Sequence, residues 1–235
     1  MAQPPHYHAV ILLRGVARGS RGSTAARGGF AVTSERIIDC HAHIIDPARF
    51  PFPDGPGYKP RPEETGTREA FCATLDRLGA THALLVQPSG YGVDNAAMLD
   101  AMAASRGRFR AIAMVDPGAS DRALEALAGA GVVGVRFNLP SYDPHALSHP
   151  EAPRLLDRLR ALGWFAQVYA DDTQWAQIAP ILRASRVRVL IDHFVDCLET
   201  GAPFETGPAD NLETLRLVEH AYWAAGLHRP PPVRS

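Results

Sequence analysis

The sequence predicts an α/β fold in which parallel strands alternate with helices and form a barrel. Near-continuous apolar runs recur along the chain from Ile37 onward, and segments of helical periodicity separate them. Such runs are typical of parallel strands that are covered on both faces. Polar side chains follow nearly every run. In a barrel, reactive groups gather at the carboxyl ends of many strands, whereas in an open sheet they gather at one switch point, so the pattern favours a barrel.

The strand–helix unit repeats about six times. After the strand that begins at Ile37, five apolar runs predict further strands at 81–87, 109–115, 132–137, 164–169 and 187–191. The helical spacing of apolar residues predicts helices at 67–78, 96–105, 121–128, 152–162 and 173–183. Four glycines lie at or just after predicted helix ends, where a left-handed residue is favoured: Gly79, Gly107, Gly131 and Gly163.

Length and composition indicate one globular domain that acts on small molecules. The chain has 235 residues and is 46% hydrophobic, which is enough for a sizeable core. A net charge of -1 gives no overall attraction for nucleic acid or an anionic membrane. The three cysteines share no metal-type spacing, which favours a reducing compartment and a cytoplasmic location. No apolar stretch approaches the roughly 20 residues that span a bilayer.

The two ends of the chain differ in composition from the repeated units. Residues 1–34 contain no Asp or Glu and are rich in Gly, Ala, Ser and Arg, which resembles a transit peptide. A disordered extension or a start codon placed too early are the favoured alternatives, so we exclude this segment from the predicted fold. Residues 195–235 predict a loop, one helix at about 211–225 and a proline-rich tail. We expect three parts: an extension at 1–34, a partial barrel at 36–194 and a divergent segment at 195–235.

Two histidines one residue apart follow the first strand. His41 and His43 point to the same side because side chains alternate across a strand, whereas Ala42 points away. Imidazole is the commonest metal ligand and the usual acid or base near neutral pH. A converging pair at a strand end therefore indicates a hydrolytic site.

Four motifs together resemble the amidohydrolase-related TIM barrels, and within them the 2-pyrone-4,6-dicarboxylate lactonase type. They are DCHAH at 39–43, QPSGYGVDN at 87–95, GVRFN at 134–138 and IDHF at 191–194. The likeness covers about residues 36–194. It implies a (β/α)8 barrel that hydrolyses lactones, amides or related carbonyl compounds, often in the breakdown of aromatic or sugar acids. We expect the barrel to be incomplete, because no apolar run after Phe194 predicts a seventh or eighth strand.

The resemblance also implies the residues of the site. His41, His43 and His193 would face one centre, where they act on the substrate carbonyl directly or through one divalent ion, zinc or manganese. Members of the lactonase type can work without metal, so the ion is conditional. Substrate oxygens would be held by Ser89, Arg136 and Tyr169, with Asn95 and Asn138 in supporting positions.

Elementary chemistry supports these roles and leaves alternatives open. Imidazoles can stabilise a developing oxyanion, and the planar fork of Arg136 matches a carboxylate. An arginine at a strand end is otherwise a structural ion-pair partner, and a lone histidine such as His193 is otherwise a core residue. Relatives carry an aspartate on their last strand, and we find no counterpart after Phe194. The chain is thus predicted to be a hydrolase or, alternatively, a non-catalytic product that binds a metal or a carboxylate. Self-association into a homo-oligomer could cover the open sheet edges.

Overall fold

The computed structural model describes residues 10–13 and 36–191. Seven strands lie in this part of the chain: β1 (Val10–Leu13), β2 (Arg36–Ala42), β3 (Ala80–Val86), β4 (Phe109–Ala113), β5 (Val132–Asn138), β6 (Phe165–Tyr169) and β7 (Arg188–Ile191). Five α-helices alternate with them: α1 (Arg68–Leu78), α2 (Ala96–Ala104), α3 (Asp121–Gly129), α4 (Ala152–Ala161) and α5 (Asp172–Ser185). The predicted strands from Ile37 onward and all five predicted helices are confirmed, with ends that differ by one or two residues.

The strands form one sheet whose order follows the chain from β1 to β7. Six of them, β2 to β7, pair in parallel, and β1 pairs antiparallel with β2 at one edge. The parallel strands curl into a half-barrel with the helices packed outside. This is the predicted TIM-barrel-like fold with about six βα units.

Apolar side chains fill both faces of the sheet. The larger core lies between the strands and the helices, and it includes Leu75, Leu124 and Leu156, each at most 1% exposed. A smaller cluster lies on the concave face of the sheet and consists of Ile38, Leu84, Val86, Ile112, Phe165 and Leu190. Burial on both faces explains why the strands are nearly continuous apolar runs in the sequence.

Helix ends are set by local signals in the sequence. At the N-terminal ends of α1, α3 and α5, a capping side chain accepts a hydrogen bond from the backbone N–H three residues later; the capping residues are Thr67, Ser120 and Asp171. The four glycines predicted to adopt the left-handed conformation all do so, with φ between 69° and 95°: Gly79, Gly107, Gly131 and Gly163. These glycines follow the ends of α1 to α4, whereas α5 is followed by Arg186, which adopts the left-handed conformation with a φ of 56°.

The structure differs from expectation near the N-terminus. We excluded residues 1–34 from the fold, yet Val10–Leu13 forms strand β1, with Val10 opposite Asp39 and Leu13 opposite Arg36. The physical reason is the unpaired edge of β2, which offers backbone donors and acceptors to any extended segment. The rest of the predicted extension, and the predicted loop, helix and tail at 195–235, lie outside the described residues.

A membrane-spanning helix is not found in the part of the chain that the structure describes, where no helix combines sufficient length with sufficient apolar character.

Candidate active site

The two histidines of the first motif converge at the carboxyl end of β2. Their ring centroids lie 5.0 Å apart in an edge-to-face arrangement, while Ala42 packs into the outer core. The pairing of β2 with β3 shifts register between Asp39 and Ala42, as in a β-bulge, and the backbone N–H of His41 donates to Asp39 Oδ1 at 3.1 Å. Because of the extra residue, Ala42 faces the outer core although Ile38 and Cys40 face the concave cluster, and His41 and His43, which alternate with Ala42, share the other side.

A contact with the backbone determines which ring nitrogen of His43 carries a hydrogen. His43 Nδ1 lies 2.7 Å from the backbone carbonyl oxygen of Val86, at the end of β3. A carbonyl only accepts hydrogen bonds, so His43 Nδ1 carries a hydrogen. In the neutral imidazole the lone pair then resides on Nε2, where it can act as a base or as a metal ligand.

Arg136 lies on β5 and is buried, with 5% of its surface exposed. Its Nη1 donates to the backbone carbonyl oxygen of Gln87 at 2.9 Å. This bond fixes the guanidinium at the carboxyl end of β3, next to the carbonyl group that holds His43. A buried and oriented guanidinium has the geometry that a carboxylate requires.

Gln167 is a residue of this region that the sequence analysis missed. It lies on β6 directly opposite Arg136 and is 2% exposed. Its Nε2 is 3.5 Å from His41 Nδ1, and its Oε1 is buried without a hydrogen-bond partner. A polar residue within the apolar run of β6, two positions before Tyr169, is the only signal in the sequence that could have identified it.

The long loop after β2 lies over the segment that follows β3. The backbone N–H of Tyr58 donates to Ser89 Oγ at 3.3 Å, and Phe52 stacks on Tyr91 with centroids 4.6 Å apart. The two backbones touch closely enough that a Cβ at Gly57 would overlap the carbonyl oxygen of Ser89. Ser89 is 8% exposed, so the predicted substrate-binding hydroxyl is largely covered by this loop.

Asn95 supports the site through the backbone. Its Nδ2 donates to the carbonyl oxygens of Val93 and Met114, at 2.9 and 2.8 Å, and its Oδ1 accepts from the N–H of Met114. These bonds tie the loop after β3 to the end of β4. The supporting role of Asn95 in substrate binding stays a prediction.

Asn138 and Tyr169 lie opposite each other at the ends of β5 and β6. Asn138 Oδ1 accepts from the backbone N–H of Ser141 at 3.1 Å, which shapes the loop after β5. A small pocket at this end of the sheet is lined by Arg136, Asn138, Asp116 and Tyr142, among others. The predicted substrate residues of β5 therefore border a concave surface at the mouth of the half-barrel.

Cys40 directly precedes His41 on β2, is partly buried and packs against the concave cluster. Burial, with a smaller contribution from the charge of Asp39, raises the pKa of the Cys40 thiol to about 12. The thiol is thus neutral near pH 7, and the partly buried side chain packs as a small hydrophobe.

The described residues do not assemble a complete metal site. No group of three His, Cys, Asp or Glu side chains converges within residues 37–191. His41 and His43 supply two imidazoles, and His193, the third predicted ligand, lies outside the described residues. Because only two of the three predicted ligands are described, we derive no chemical step through a metal ion.

The chain belongs to the amidohydrolase family. The family model matches residues 38–196, which span β2 to β7 and every described part of the site. The resemblance inferred from the four motifs is thereby confirmed.

The chain is similar to several proteins that are named as lactone or pyrone hydrolases. The chain is 31% identical over 176 residues to the 2-pyrone-4,6-dicarboxylate hydrolase of Comamonas testosteroni, which covers 75% of this chain and 55% of that protein. It is 27% identical over 186 residues to the 4-sulfomuconolactone hydrolase of Rhizobium radiobacter, and the match covers 78% of this chain and 61% of that protein. A crystal structure of a probable 2-pyrone-4,6-dicarboxylic acid hydrolase from Acinetobacter baumannii, with citric acid bound, superposes with a TM-score of 0.61 at 33% identity, covering 67% of this chain and 58% of that one.

The chain spans between about half and three fifths of the length of these relatives.

Proposed function

We propose that this protein is a hydrolase that opens a lactone, or cleaves an amide or related carbonyl compound, by attack of water at the histidine cluster. The observation that carries the proposal is the convergence of His41 and His43 beside the buried guanidinium of Arg136. The imidazoles supply hydrogen-bonding and proton-transfer groups, and Arg136 supplies a cationic anchor. His193 is proposed as a third member of the cluster.

A carboxylated pyrone or a sugar lactone is the substrate class that this arrangement fits best. The relatives are named for a pyrone dicarboxylate and for a sulfonated muconolactone, both anionic cyclic compounds. Ser89, Arg136 and Tyr169 are proposed to hold the oxygen atoms of such a substrate, while Asn95 and Asn138 position the loops around it. The reaction would serve the breakdown of aromatic compounds in the cytoplasm.

The proposal allows one divalent ion as a conditional cofactor. Zinc or manganese would be held by His41, His43 and His193 and would polarise the substrate carbonyl when bound. Metal analysis of the purified protein, followed by activity before and after chelation, decides between metal-dependent and metal-independent operation.

The test is hydrolysis of 2-pyrone-4,6-dicarboxylate and of a sugar lactone by the purified full chain. We expect turnover that falls at least about 100-fold in His43→Asn, since general acid–base catalysis contributes roughly 10²–10⁴-fold. His145→Asn is the matched control, because His145 lies on an exposed loop. It should keep full activity.

A second candidate is a binding protein without turnover. The buried Arg136 favours it as well, since an oriented guanidinium binds a carboxylate whether or not chemistry follows. A folded protein that binds the dicarboxylate in calorimetry, but releases no ring-opened product, would overturn the hydrolase proposal and establish this alternative.

A further inference from the structure

The pocket at the carboxyl ends of β4 and β5 contains acidic and hydroxyl-bearing side chains that the proposed roles do not use. Asp116, Tyr142 and Asp143 line it beside Arg136 and Asn138, which are each 5% exposed. We propose that this pocket is a subsite for hydroxyl groups of the substrate, and that the protein prefers a polyhydroxylated sugar lactone to a dicarboxylated pyrone. The choice of lactone rests on the proposed function, whereas the ligand preference of the pocket can be measured without turnover.

Asp116 lies at the mouth of the pocket, shortly after β4. Its backbone carbonyl oxygen accepts from the N–H of Ala119 at 2.9 Å, which closes a turn with Pro117 at the second position. The residue is exposed, and its carboxylate has no hydrogen bond or ion pair within the described part of the chain. The carboxylate is therefore available to a ligand in the pocket.

The loop after β5 brings a phenol and a second carboxylate to the same pocket. Asn138 holds this loop, because its Oδ1 accepts from the N–H of Ser141 and its carbonyl oxygen accepts from the N–H groups of Tyr142 and Asp143. Asp143 Oδ1 accepts from the backbone N–H of His145 at 2.9 Å, and no described residue forms an ion pair with this carboxylate. Both side chains are thus presented by a loop that is anchored on the sheet.

Tyr142 reaches from this loop to the loop after β3. A Cβ at Gly92 would overlap the hydroxyl oxygen and the ring of Tyr142, and Gly92 has a φ of 52°, where glycine is favoured. The phenol therefore packs directly on the backbone of Gly92. Tyr142 is half-buried, and among the described residues its hydroxyl has no hydrogen-bond partner. This hydroxyl can donate to, or accept from, a ligand that enters the pocket.

The charges of the lining disfavour a ligand with two negative charges. Of the described residues that line the pocket, Arg136 is the one cation, and it stands against the carboxylates of Asp116 and Asp143. A carboxylate only accepts hydrogen bonds, so these two groups attract hydroxyl donors and repel anions. A sugar lactone carries several hydroxyl groups, whereas 2-pyrone-4,6-dicarboxylate carries two negative charges and no hydroxyl group. The lining therefore suits the sugar lactone.

Calorimetry on the purified full chain with D-gluconate and with 2-pyrone-4,6-dicarboxylate tests the preference of the pocket. Both probes have a carboxylate that Arg136 could bind, but only gluconate has hydroxyl groups. We expect gluconate to bind at least 10-fold more tightly. Tighter binding of the dicarboxylate, or no binding of gluconate, would overturn the proposal.

Asp116→Asn should change the two affinities in opposite directions. Loss of the charged acceptor should weaken gluconate binding about 10-fold, and loss of the repulsion should strengthen dicarboxylate binding about 3-fold. A merely structural role would weaken both. Tyr142→Phe should weaken binding of gluconate alone, and Asp157→Asn is the control because Asp157 is exposed on α4. Parallel changes for the two ligands in Asp116→Asn, or no change in either pocket variant, would contradict the subsite.

Turnover separates this proposal from the hydrolase proposal. After subtraction of spontaneous hydrolysis, kcat/KM should be at least 10-fold higher for D-glucono-1,5-lactone than for 2-pyrone-4,6-dicarboxylate. The expected binding pattern without turnover of either compound would support the subsite and overturn only the hydrolase proposal. Preferred turnover of the pyrone would support the hydrolase proposal and overturn the subsite.

Discussion

At the scale of single residues, the function proposed here depends on side chains whose partners are backbone groups. His43 is held by a carbonyl oxygen of β3, and Arg136 is held by the next one along the chain. Backbone partners are as rigid as the sheet itself, so both side chains are positioned before a substrate arrives. Such preorganisation lets a few groups act at a defined point.

Arg136 should discriminate between charged and neutral ligands. We expect Arg136→Met to weaken binding of 2-pyrone-4,6-dicarboxylate by about 10- to 150-fold, as the loss of a hydrogen bond to a charged group costs roughly 1.5–3 kcal/mol. Binding of an uncharged pyrone should change far less. Calorimetry on both ligands measures the difference, and Arg154→Met is the control because Arg154 is exposed on α4. Equal losses for the two ligands would argue against a carboxylate anchor.

Cys40 should resist alkylation in the folded protein. Its pKa of about 12 keeps the thiol neutral at pH 8, and only the thiolate reacts. Iodoacetamide treatment followed by peptide mapping should modify Cys40 at least 10-fold more slowly than in protein unfolded in urea. An equal rate in the two states would contradict the burial described here.

The same pKa has a consequence for stability at high pH. Because the folded-state pKa is raised, the unfolded chain loses this proton first as the pH rises. The stabilisation from Cys40 is complete below the ordinary value of 9.0 and is lost progressively between 9.0 and about 12. Substitution of Cys40 by Ala should therefore flatten the decline of unfolding free energy in this range.

At the scale of elements, the loop after β2 and the turn after β3 approach each other closely. The loop after β2 meets the turn after β3 through glycines on both sides, Gly57 and Gly90. An ion pair and two hydrogen bonds hold its far end, where Glu64 accepts from Arg61 and Tyr58. The loop is thereby a fixed wall of the site.

Gly57→Ala should detach this loop, whereas Gly55→Ala should not. Both glycines have positive φ, at 109° and 129°, so both substitutions carry a similar backbone strain. A Cβ at Gly57 would overlap Ser89, while nothing lies within 4 Å of one at Gly55. We expect proteolysis within residues 50–61 to accelerate strongly in Gly57→Ala alone. Equal proteolysis rates in the two variants would show that the contact does not hold the loop.

The elements themselves were predictable because their signals are local. The apolar runs marked β3 to β7, and the left-handed glycines marked four helix ends, so those boundaries needed no tertiary information. Strand β1 was missed because a four-residue apolar run becomes a strand only when a sheet edge accepts it. Gln167 was missed because its position at the site depends on the register of β5 with β6 and on a histidine 126 positions away. Convergence of His41 and His43 was predicted correctly, since side-chain alternation within a strand is a short-range property.

At the scale of the whole molecule, β1 closes one edge of the half-barrel. It pairs with β2 along four residues, and it does so in the antiparallel sense, unlike every other pair. An unpaired edge in that place would offer backbone hydrogen-bonding groups to another chain. The N-terminal segment thus protects the strand that carries both histidines.

Removal of residues 1–14 should lower stability and promote self-association. We expect the shortened chain to unfold at a lower denaturant concentration than the full chain, and to elute partly as larger species in size-exclusion chromatography with light scattering. Leu124→Ala is a comparison, because it should cost about 2–5 kcal/mol through a cavity in the outer core without exposing an edge. A monomeric shortened chain with full stability would show that β1 adds nothing to the fold.

The strands of the described sheet lie side by side in the order in which they occur in the chain, and this order favours folding during synthesis. Within the described sheet, each strand after β1 pairs with the strand synthesised just before it, so none of these strands waits for a distant partner. Contacts between neighbours in sequence need little loop closure and form early. The half-barrel can therefore grow at its leading edge while the ribosome is still adding residues, one βα unit at a time.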